Sequence, residues 1–353
     1  MHEELIDELE AKQKLTRKEW ILLLASINDP LREYAARKAR AVAQKIYGTK
    51  IYVRGLVEFT NCCRNDCYYC GIRRSNAKVN RYRLTPEEII SCCDRGYQLG
   101  FHTFVLQGGE DLSYTDEVLT EIIRRIKMAH PDCALTLSIG ERERSSYQKF
   151  YDAGADRYLL RHETADDEHY SKLHPKELSL AHRKQCLSDL KEIGYQTGCG
   201  IMVGSPYQTT ENIADDLLYM KELDPQMVGI GPFIPHTDTP FKDFTAGSLE
   251  MTLFLLSLTR LMLPNVLLPA TTALGTIKSD GRELGVLAGA NVIMPNLSPG
   301  KVKKDYILYD NKICTGEEAA ECISCLEMRM QKIGYQIAFE RGDYKEIQKT
   351  ALS

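Results

Sequence analysis

The sequence predicts an α/β protein of the (β/α)8 TIM-type barrel class. Three observations carry this prediction: short apolar runs alternate with amphipathic stretches of helical period, eight such runs occur, and glycines separate several helical stretches from the next run. Eight strand-then-helix units within about 250 residues favour a closed barrel over a doubly wound open sheet. We expect an N-terminal helical lead-in at residues 1–50, the barrel at 51–300 and a cysteine-bearing C-terminal tail at 301–353.

Local signals place the helices and strands in order. Before residue 50 the chain is predicted to be helical, and Thr16 with Glu19 forms a capping box. Thr85, Pro86 and Glu88 specify a later helix start in the same way. Four glycines are expected to end helices in the left-handed conformation: Gly100, Gly154, Gly194 and Gly289. The predicted strands span residues 52–60, 103–106, 134–139, 157–161, 197–203, 227–233, 267–272 and 291–294.

The composition is that of an ordinary globular protein. The 353 residues carry a formal net charge of −4, with 43% hydrophobic and 27% charged residues, which gives no reason to expect a nucleic-acid partner. Residues 1–5 lack the basic and apolar stretches of an export signal. The apolar stretch 251–268 is interrupted by Arg260, Pro264 and Asn265, so a buried helix and a strand are expected there instead of a membrane span. We therefore expect a cytoplasmic protein with no membrane association.

The loop after the first predicted strand carries a cysteine motif. Cys63, Cys67 and Cys70 have the spacing C-x3-C-x2-C, with Tyr69 before the last cysteine. Three thiolates on one short loop can hold three irons of a [4Fe–4S] cube and leave the fourth iron open. The alternative is a four-ligand zinc site that recruits Cys62, although two adjacent cysteines fit one zinc ion poorly.

This loop resembles that of the radical S-adenosylmethionine (SAM) enzymes, and two further segments extend the resemblance. The run from Gln107 to Glu110 follows the second strand, where these enzymes carry a Gly-Gly-Glu motif that meets the SAM amino group. Residues 198–204 resemble the glycine-rich strand beside the adenine, and Tyr207 replaces a glycine in the turn that follows. The resemblance implies that the open iron binds SAM, and that an electron from the cluster cleaves SAM to a 5′-deoxyadenosyl radical.

Two charged residues end the predicted fourth strand. Arg161 and Glu163 alternate along the strand and are expected to point together into the top of the barrel. Because an unpaired charge there is costly, they need either each other or a charged ligand. A structural ion pair and a ligand site both remain open at this point.

The strand ends together resemble the HydE family of [FeFe]-hydrogenase maturases over nearly the whole chain. The segments concerned are 161–164, 229–236, 269–273 and 292–296, some of which are shared more loosely with biotin synthase and methylornithine synthase. The resemblance implies SAM-binding roles for Gln107, Gly108, Gly109, Glu110, Glu163, Arg183 and Met202. It implies that the substrate cavity is lined by Thr136, Arg161, Thr271, Thr272 and Tyr306. Among these residues, catalytic roles are expected for Arg161, Glu163 and Tyr306.

The resemblance also implies a substrate and partners. The substrate is a small cysteine-bound iron carbonyl–cyanide unit on the way to the hydrogenase H-cluster. The implied partners are the maturases HydG and HydF and an electron donor such as ferredoxin or flavodoxin. A mutase or sulfur-inserting enzyme of the methylornithine synthase or biotin synthase type is the alternative with the same fold, and a non-catalytic iron–sulfur or zinc protein is the alternative of another class.

A second cysteine group lies in the tail. Cys314, Cys322 and Cys325 can hold a further cluster with one open position, either [2Fe–2S] or [4Fe–4S], and some HydE-type maturases carry such a trio. The alternative is a zinc or vestigial site without catalytic duty. The trio helps to separate this chain from biotin synthase, whose extra cluster lies inside the barrel, because here only Cys199 is expected near the interior.

Overall fold

A computed structural model describes residues 2–313 and 319–345, with the side chains of residues 319–322 left out. The lead-in folds into three helices, α1 (His2–Lys12), α2 (Arg17–Ala25) and α3 (Asp29–Tyr47). The capping box predicted at Thr16 is confirmed, since its side chain and that of Glu19 each accept a backbone N–H of the other. Burial of residues such as Leu23, Ala35 and Ala39 in the main core fixes these helices against the barrel.

The central strands form the predicted parallel barrel. They are β1 (Lys50–Val53), β2 (Gly55–Thr60), β3 (Thr103–Gly108), β4 (Ala134–Ser138), β5 (Arg157–Leu159), β6 (Gln196–Val203), β7 (Met227–Pro232) and β8 (Val292–Ile293). Strands β2 to β7 pair in sequence order, all parallel. Isolated parallel bridges carry the ring from Met227 to Leu267, from Pro269 to Val292 and from Asn296 back to Leu56.

Helices surround these strands and alternate with them. They are α4 (Pro86–Gln98), α5 (Asp116–Ala129), α6 (Arg144–Asp152), α7 (Asp167–Leu173), α8 (Leu180–Ile193), α9 (Thr210–Leu223), α10 (Leu249–Met262), α11 (Thr272–Ile277), α12 (Gly281–Leu287), α13 (Gly300–Lys303) and α14 (Ala319–Lys332). The four predicted helix-ending glycines all have positive φ, between 93° and 112°. No helix in the described ranges is long and apolar enough to cross a membrane.

Two predicted strands differ from the structure. The first is split at Arg54, because β1 pairs with β8 while β2 pairs with β3. The seventh, expected at 267–272, is reduced to two single bridges. Pro269 has no N–H to donate to a ladder, and the chain enters α11 at Thr272 immediately afterwards.

The tail closes the lower end of the barrel. Strand β9 (Gln336–Ala338) pairs in parallel with β1. Just beyond it, the buried Arg157 of β5 donates to Asp343 Oδ1 at 2.7 Å and to the carbonyl of Arg341 at 2.9 Å. The tail thus lies at the end of the barrel where the strands begin. In this fold the functional residues are expected at the opposite end, where the strands finish.

Candidate active site

The cysteine loop follows β2 and is braced by one carboxylate. Asp66 accepts two hydrogen bonds from Arg73, at 2.8 and 2.7 Å, and one from the Ser75 hydroxyl at 2.7 Å. These donors hold the pKa of Asp66 well below its usual range. These hydrogen bonds brace the cysteine loop from within.

The three predicted cluster ligands lie together at the cavity. Cys63, Cys67 and Cys70 are partly exposed and all line it. Burial raises the pKa of Cys70 to about 12, and the neighbouring Cys63 adds to this because two thiolates repel each other. Such a set needs a cationic partner to be deprotonated, which an iron–sulfur cluster supplies.

The arrangement of these thiols suits a cluster better than a single ion. Within residues 2–313 and the described part of the tail, no three Cys, His, Asp or Glu side chains converge on a site for one metal ion. A cube instead takes one thiolate at each of three irons. The three thiols, on one loop at one cavity, match the three protein ligands that such a cube takes.

The Gly-Gly-Glu segment packs directly on the cysteine loop. A Cβ on Gly109 would lie 2.2 Å from the carbonyl oxygen of Cys62 and 2.8 Å from Cys63 Cβ, so only glycine fits. Glu110 accepts from Arg64 Nε at 3.0 Å through one oxygen, and from the Glu141 N–H at 2.9 Å through the other. The Gly-Gly-Glu segment therefore lies in contact with the loop whose thiols would hold the cluster.

Arg161 and Glu163 lie just beyond β5 and face each other. Arg161 Nη2 is 2.9 Å from Glu163 Oε2, and both side chains line the cavity. Glu163 has a φ of 66°, a left-handed conformation that non-glycine residues adopt at a cost. Among the described residues, Arg161 Nε and Nη2 and Glu163 Oε2 have no partner with hydrogen-bond geometry. Arg161 can therefore still donate a hydrogen bond to a polar ligand in the cavity.

Arg183 reaches the same wall from α8. It donates to Glu141 through Nε and to the carbonyl of Arg161 through Nη1 at 2.8 Å. The side chain is buried, and it lines the cavity next to the thiols. A positive charge is thereby fixed beside the site expected for the SAM carboxylate.

Tyr207 adopts a left-handed conformation in the turn after β6. This tyrosine has a φ of 67°, the conformation that a glycine would adopt at no cost. Gln208 closes the turn by accepting from the Gly204 N–H and donating to the Met202 carbonyl at 2.9 Å. Met202 lines the cavity, whereas Cys199, of opposite strand parity, belongs to the core between strands and helices. The expectation that Cys199 lies near the interior is wrong.

The cavity at the mouth of the barrel has a volume of about 350 Å3 and brings nearly all the predicted residues together. It is lined by Cys63, Cys67, Cys70, Gln107, Gly108, Gly109, Glu110, Arg161, Glu163, Arg183, Met202, Thr271, Thr272 and Tyr306. Thr136 is not among the lining residues. It lies two residues before Ser138 on the inner face of β4, one layer deeper, with a buried hydroxyl that lacks a hydrogen-bond partner in the described chain.

Sequence reasoning missed the charged residues deeper in the barrel. Arg54 is buried and donates to Met227 Sδ at 3.1 Å, while its Nε and Nη2 have no hydrogen-bond partner among the described residues. Arg157 Nε and Nη1 are likewise unpartnered within those residues. Glu58 is buried on β2. The signal that could have found them is a charged residue within an apolar strand run, as in residues 51–57 around Arg54.

The second cysteine group lies only partly within the described residues. Cys314 is outside them, and so is the side chain of Cys322. Cys325 is exposed on α14. The ligand set expected in the tail therefore stays a prediction.

The barrel and its cysteine loop define a radical SAM enzyme, and residues 57–220 match the family model described as the Radical SAM superfamily. The chain is 44% identical over 348 residues to the [FeFe] hydrogenase maturase subunit HydE of Thermotoga maritima, covering 98% of this chain and 99% of that protein. The chain therefore belongs to the radical SAM superfamily and, within it, to the family that contains HydE.

Methylornithine synthases are also similar to the chain. The 3-methylornithine synthase of Methanosarcina acetivorans is 30% identical over 307 residues, which cover 86% of this chain and 84% of that protein. The crystal structure of methylornithine synthase (PylB) superposes with a TM-score of 0.82 at 28% identity, covering 95% of this chain and 97% of that one. The barrel architecture is therefore shared across both groups.

Proposed function

We propose that this chain is a maturase of the [FeFe]-hydrogenase H-cluster that acts on a cysteine-bound iron carbonyl–cyanide precursor. The observation that carries the proposal is the 44% identity to HydE across essentially both whole chains. Arg161 at the cavity wall supports it, because a guanidinium suits a substrate that carries cyanide and carboxylate groups.

We assign the cofactor roles to the mouth of the barrel. Cys63, Cys67 and Cys70 hold a [4Fe–4S] cluster, and Gln107, Gly108, Gly109, Glu110, Glu163, Arg183 and Met202 hold SAM. A cluster held there supplies the electron with which SAM is cleaved to methionine and a 5′-deoxyadenosyl radical. The glycines give SAM close backbone approach, and the carboxylate of Glu110 suits its ammonium group.

The polar side chains of the cavity wall indicate which substrate groups the cavity can bind. Arg161 Nε has no hydrogen-bond partner among the described residues, and we expect this guanidinium to bind a carboxylate or another anionic group of the substrate. Thr271 and Thr272 offer hydroxyls on the facing wall.

A second candidate keeps the fold and the cofactors but changes the substrate. The likeness to methylornithine synthase, with a TM-score of 0.82, favours a carbon-skeleton mutase as this second function. Turnover separates the two functions. The maturase is expected to form 5′-deoxyadenosine faster when the iron carbonyl–cyanide–cysteine complex is added, and not when lysine is added. Stimulation by lysine alone would favour the mutase.

Further parts of the proposal concern the tail and the partners. We propose that Cys314, Cys322 and Cys325 hold a second iron–sulfur cluster that SAM cleavage does not require. An acidic electron carrier such as ferredoxin or flavodoxin would deliver the reducing electron in the cytoplasm. HydG and HydF would supply the substrate and receive the product, as the HydE resemblance implies.

A further inference from the structure

A buried ion pair beside the cavity has no part in the roles assigned above. Lys312 Nζ lies 2.6 Å from Glu58 Oε1, and the side chains are only 7% and 1% exposed. Glu58 comes from β2, whereas Lys312 comes from the segment that crosses the barrel mouth. Burial raises the pKa of Glu58, and Lys312 opposes that shift. Two charged side chains that are 254 residues apart in the sequence thus form a buried ion pair.

Both charged groups of this pair form hydrogen bonds to further residues. The second oxygen of Glu58 accepts from Asn296 Nδ2 at 2.8 Å. Lys312 Nζ also donates to the carbonyl of Tyr306 at 2.8 Å, and it lies 4.7 Å from the centroid of the Tyr306 ring. The ammonium therefore holds both the backbone and the ring face of one cavity residue.

The other end of Tyr306 is held by the neighbouring strand. Gln107 Nε2 donates to the Tyr306 hydroxyl at 3.3 Å. Glu58 and Gln107 are direct partners in the register of β2 and β3. Since the Tyr306 hydroxyl accepts this hydrogen bond, it can still donate its own proton to another group. Tyr306 lines the cavity, so that group can be a bound ligand.

A buried ion pair adds little net stability compared with apolar side chains of the same size, so stability alone does not account for this one. We propose that Glu58 and Lys312 are positioning residues, which set the phenol of Tyr306 so that its hydroxyl donates a hydrogen bond to an anionic or lone-pair-bearing group of the substrate. The identity of that substrate rests on the proposed function. The positioning itself is a property of the chain.

Three single variants test the pair. Lys312→Met removes the ammonium, and Lys312→Arg keeps a buried cation that can still pair with Glu58. The matched control is Lys301→Met, because Lys301 forms an equally short 2.6 Å pair with Glu88 in the same region but with side chains 66% and 33% exposed. Should unpaired Glu58 prevent folding of Lys312→Met, the double variant Glu58→Gln, Lys312→Met removes both charges and serves in its place.

Two measurements are made on the cluster-loaded protein. Amide hydrogen exchange of residues 305–310 without substrate is expected to quicken by about tenfold in Lys312→Met, to return toward wild type in Lys312→Arg, and to stay unchanged in Lys301→Met. With the iron carbonyl–cyanide–cysteine complex, Lys312→Met is expected to raise KM by about tenfold while substrate-independent SAM cleavage is retained.

The outcomes separate this proposal from the proposed function. Wild-type exchange and wild-type KM in Lys312→Met, or in the double variant, would overturn the positioning role. A wild-type protein that ignores the iron complex would instead defeat the proposed function. In that case the exchange comparison, which needs no substrate, still decides whether the ion pair holds Tyr306.

Discussion

Arg161 Nη2 lies 2.9 Å from Glu163 Oε2 at the cavity wall, whereas the buried Nε of the same guanidinium has no hydrogen-bond partner in the described chain. A purely structural ion pair would be expected to leave no such donor unfilled, because an unfilled buried donor costs about 1–3 kcal/mol. Glu163 also holds a left-handed φ of 66°. Strain of this kind concentrates at functional sites. The pair is therefore better explained as part of a ligand site.

Arg161→Ala is expected to stop hydrogenase maturation while sparing uncoupled SAM cleavage, because the anion anchor is lost but the cluster ligands remain. The assay compares 5′-deoxyadenosine formation without substrate against activation of apo-hydrogenase. Arg144→Ala, which removes a surface arginine paired with Asp189 and Glu192, is the control. Normal maturation by the Arg161 variant would refute the anchoring role.

Gly109→Ala is expected to weaken SAM binding by about 100-fold, since the added Cβ must displace the cysteine loop, and small misplacements carry large costs. Equilibrium binding of SAM to the reconstituted protein measures this. Gly48→Ala is the control, because its φ of 63° strains an alanine but no atom lies within 4 Å of the added Cβ. Equal SAM affinity in the two variants would mean that close packing at Gly109 is unimportant.

His174 predicts an acid-sensitive stability. Its Nε2 faces the Tyr69 hydroxyl at 3.1 Å and its Nδ1 faces the Tyr170 carbonyl at 3.0 Å. Burial, with the nearby charge of Arg183, lowers the pKa of His174 to about 3, so the folded protein keeps it neutral while the unfolded chain protonates near pH 6.5. Unfolding then takes up a proton, and stability is lost as pH falls below about 6.5.

The His174→Phe variant isolates this effect in chemical denaturation. From about pH 7.5 to about pH 5.5, wild type is expected to lose about 1.4 kcal/mol more unfolding free energy than the variant. An identical pH dependence in the two proteins would show that His174 has the same pKa in the folded protein as in the unfolded chain. The absolute stability of the variant is not the test, since its lost hydrogen bonds also matter.

The double variant Cys322→Ser, Cys325→Ser is expected to lower the iron content without lowering 5′-deoxyadenosine formation. The reason is that the three thiols assigned to the barrel cluster are unchanged in this variant. Iron analysis and chromatography of the reaction check the two expectations. Unchanged iron content would remove the second cluster, and loss of SAM cleavage would make the tail part of the catalytic machinery.

The sequence was sufficient for features that depend on local spacing. The capping boxes at Thr16 and Thr85 and the glycine-ended helices follow from backbone chemistry within a few residues, and the structure contains them. The Gly-Gly-Glu segment was expected to follow the second strand, one unit after the cysteine loop, and in the structure the two segments are in contact. The collision that a Cβ on Gly109 would make with Cys62 reports that contact.

Features that depend on long-range packing were not predictable. The pairing of Glu58 with Lys312 joins residues 254 positions apart, and neither has a local pattern that identifies its partner. The split of the first strand at Arg54 depends on β8 and on the strand contributed by the tail. The inward expectation for Cys199 was wrong because its odd spacing from Met202, itself expected at the cavity, places Cys199 on the opposite face of β6.

Formation of 5′-deoxyadenosine after anaerobic reconstitution with iron and sulfide, reduction with dithionite and addition of SAM tests the central claim most directly. Wild type and Cys62→Ala are expected to form it, whereas Cys67→Ala is expected to form none because one of three cluster ligands is lost. Cleavage retained in Cys67→Ala would contradict the assigned cluster site. No cleavage by a wild-type protein that holds stoichiometric metal would favour a non-catalytic metal protein.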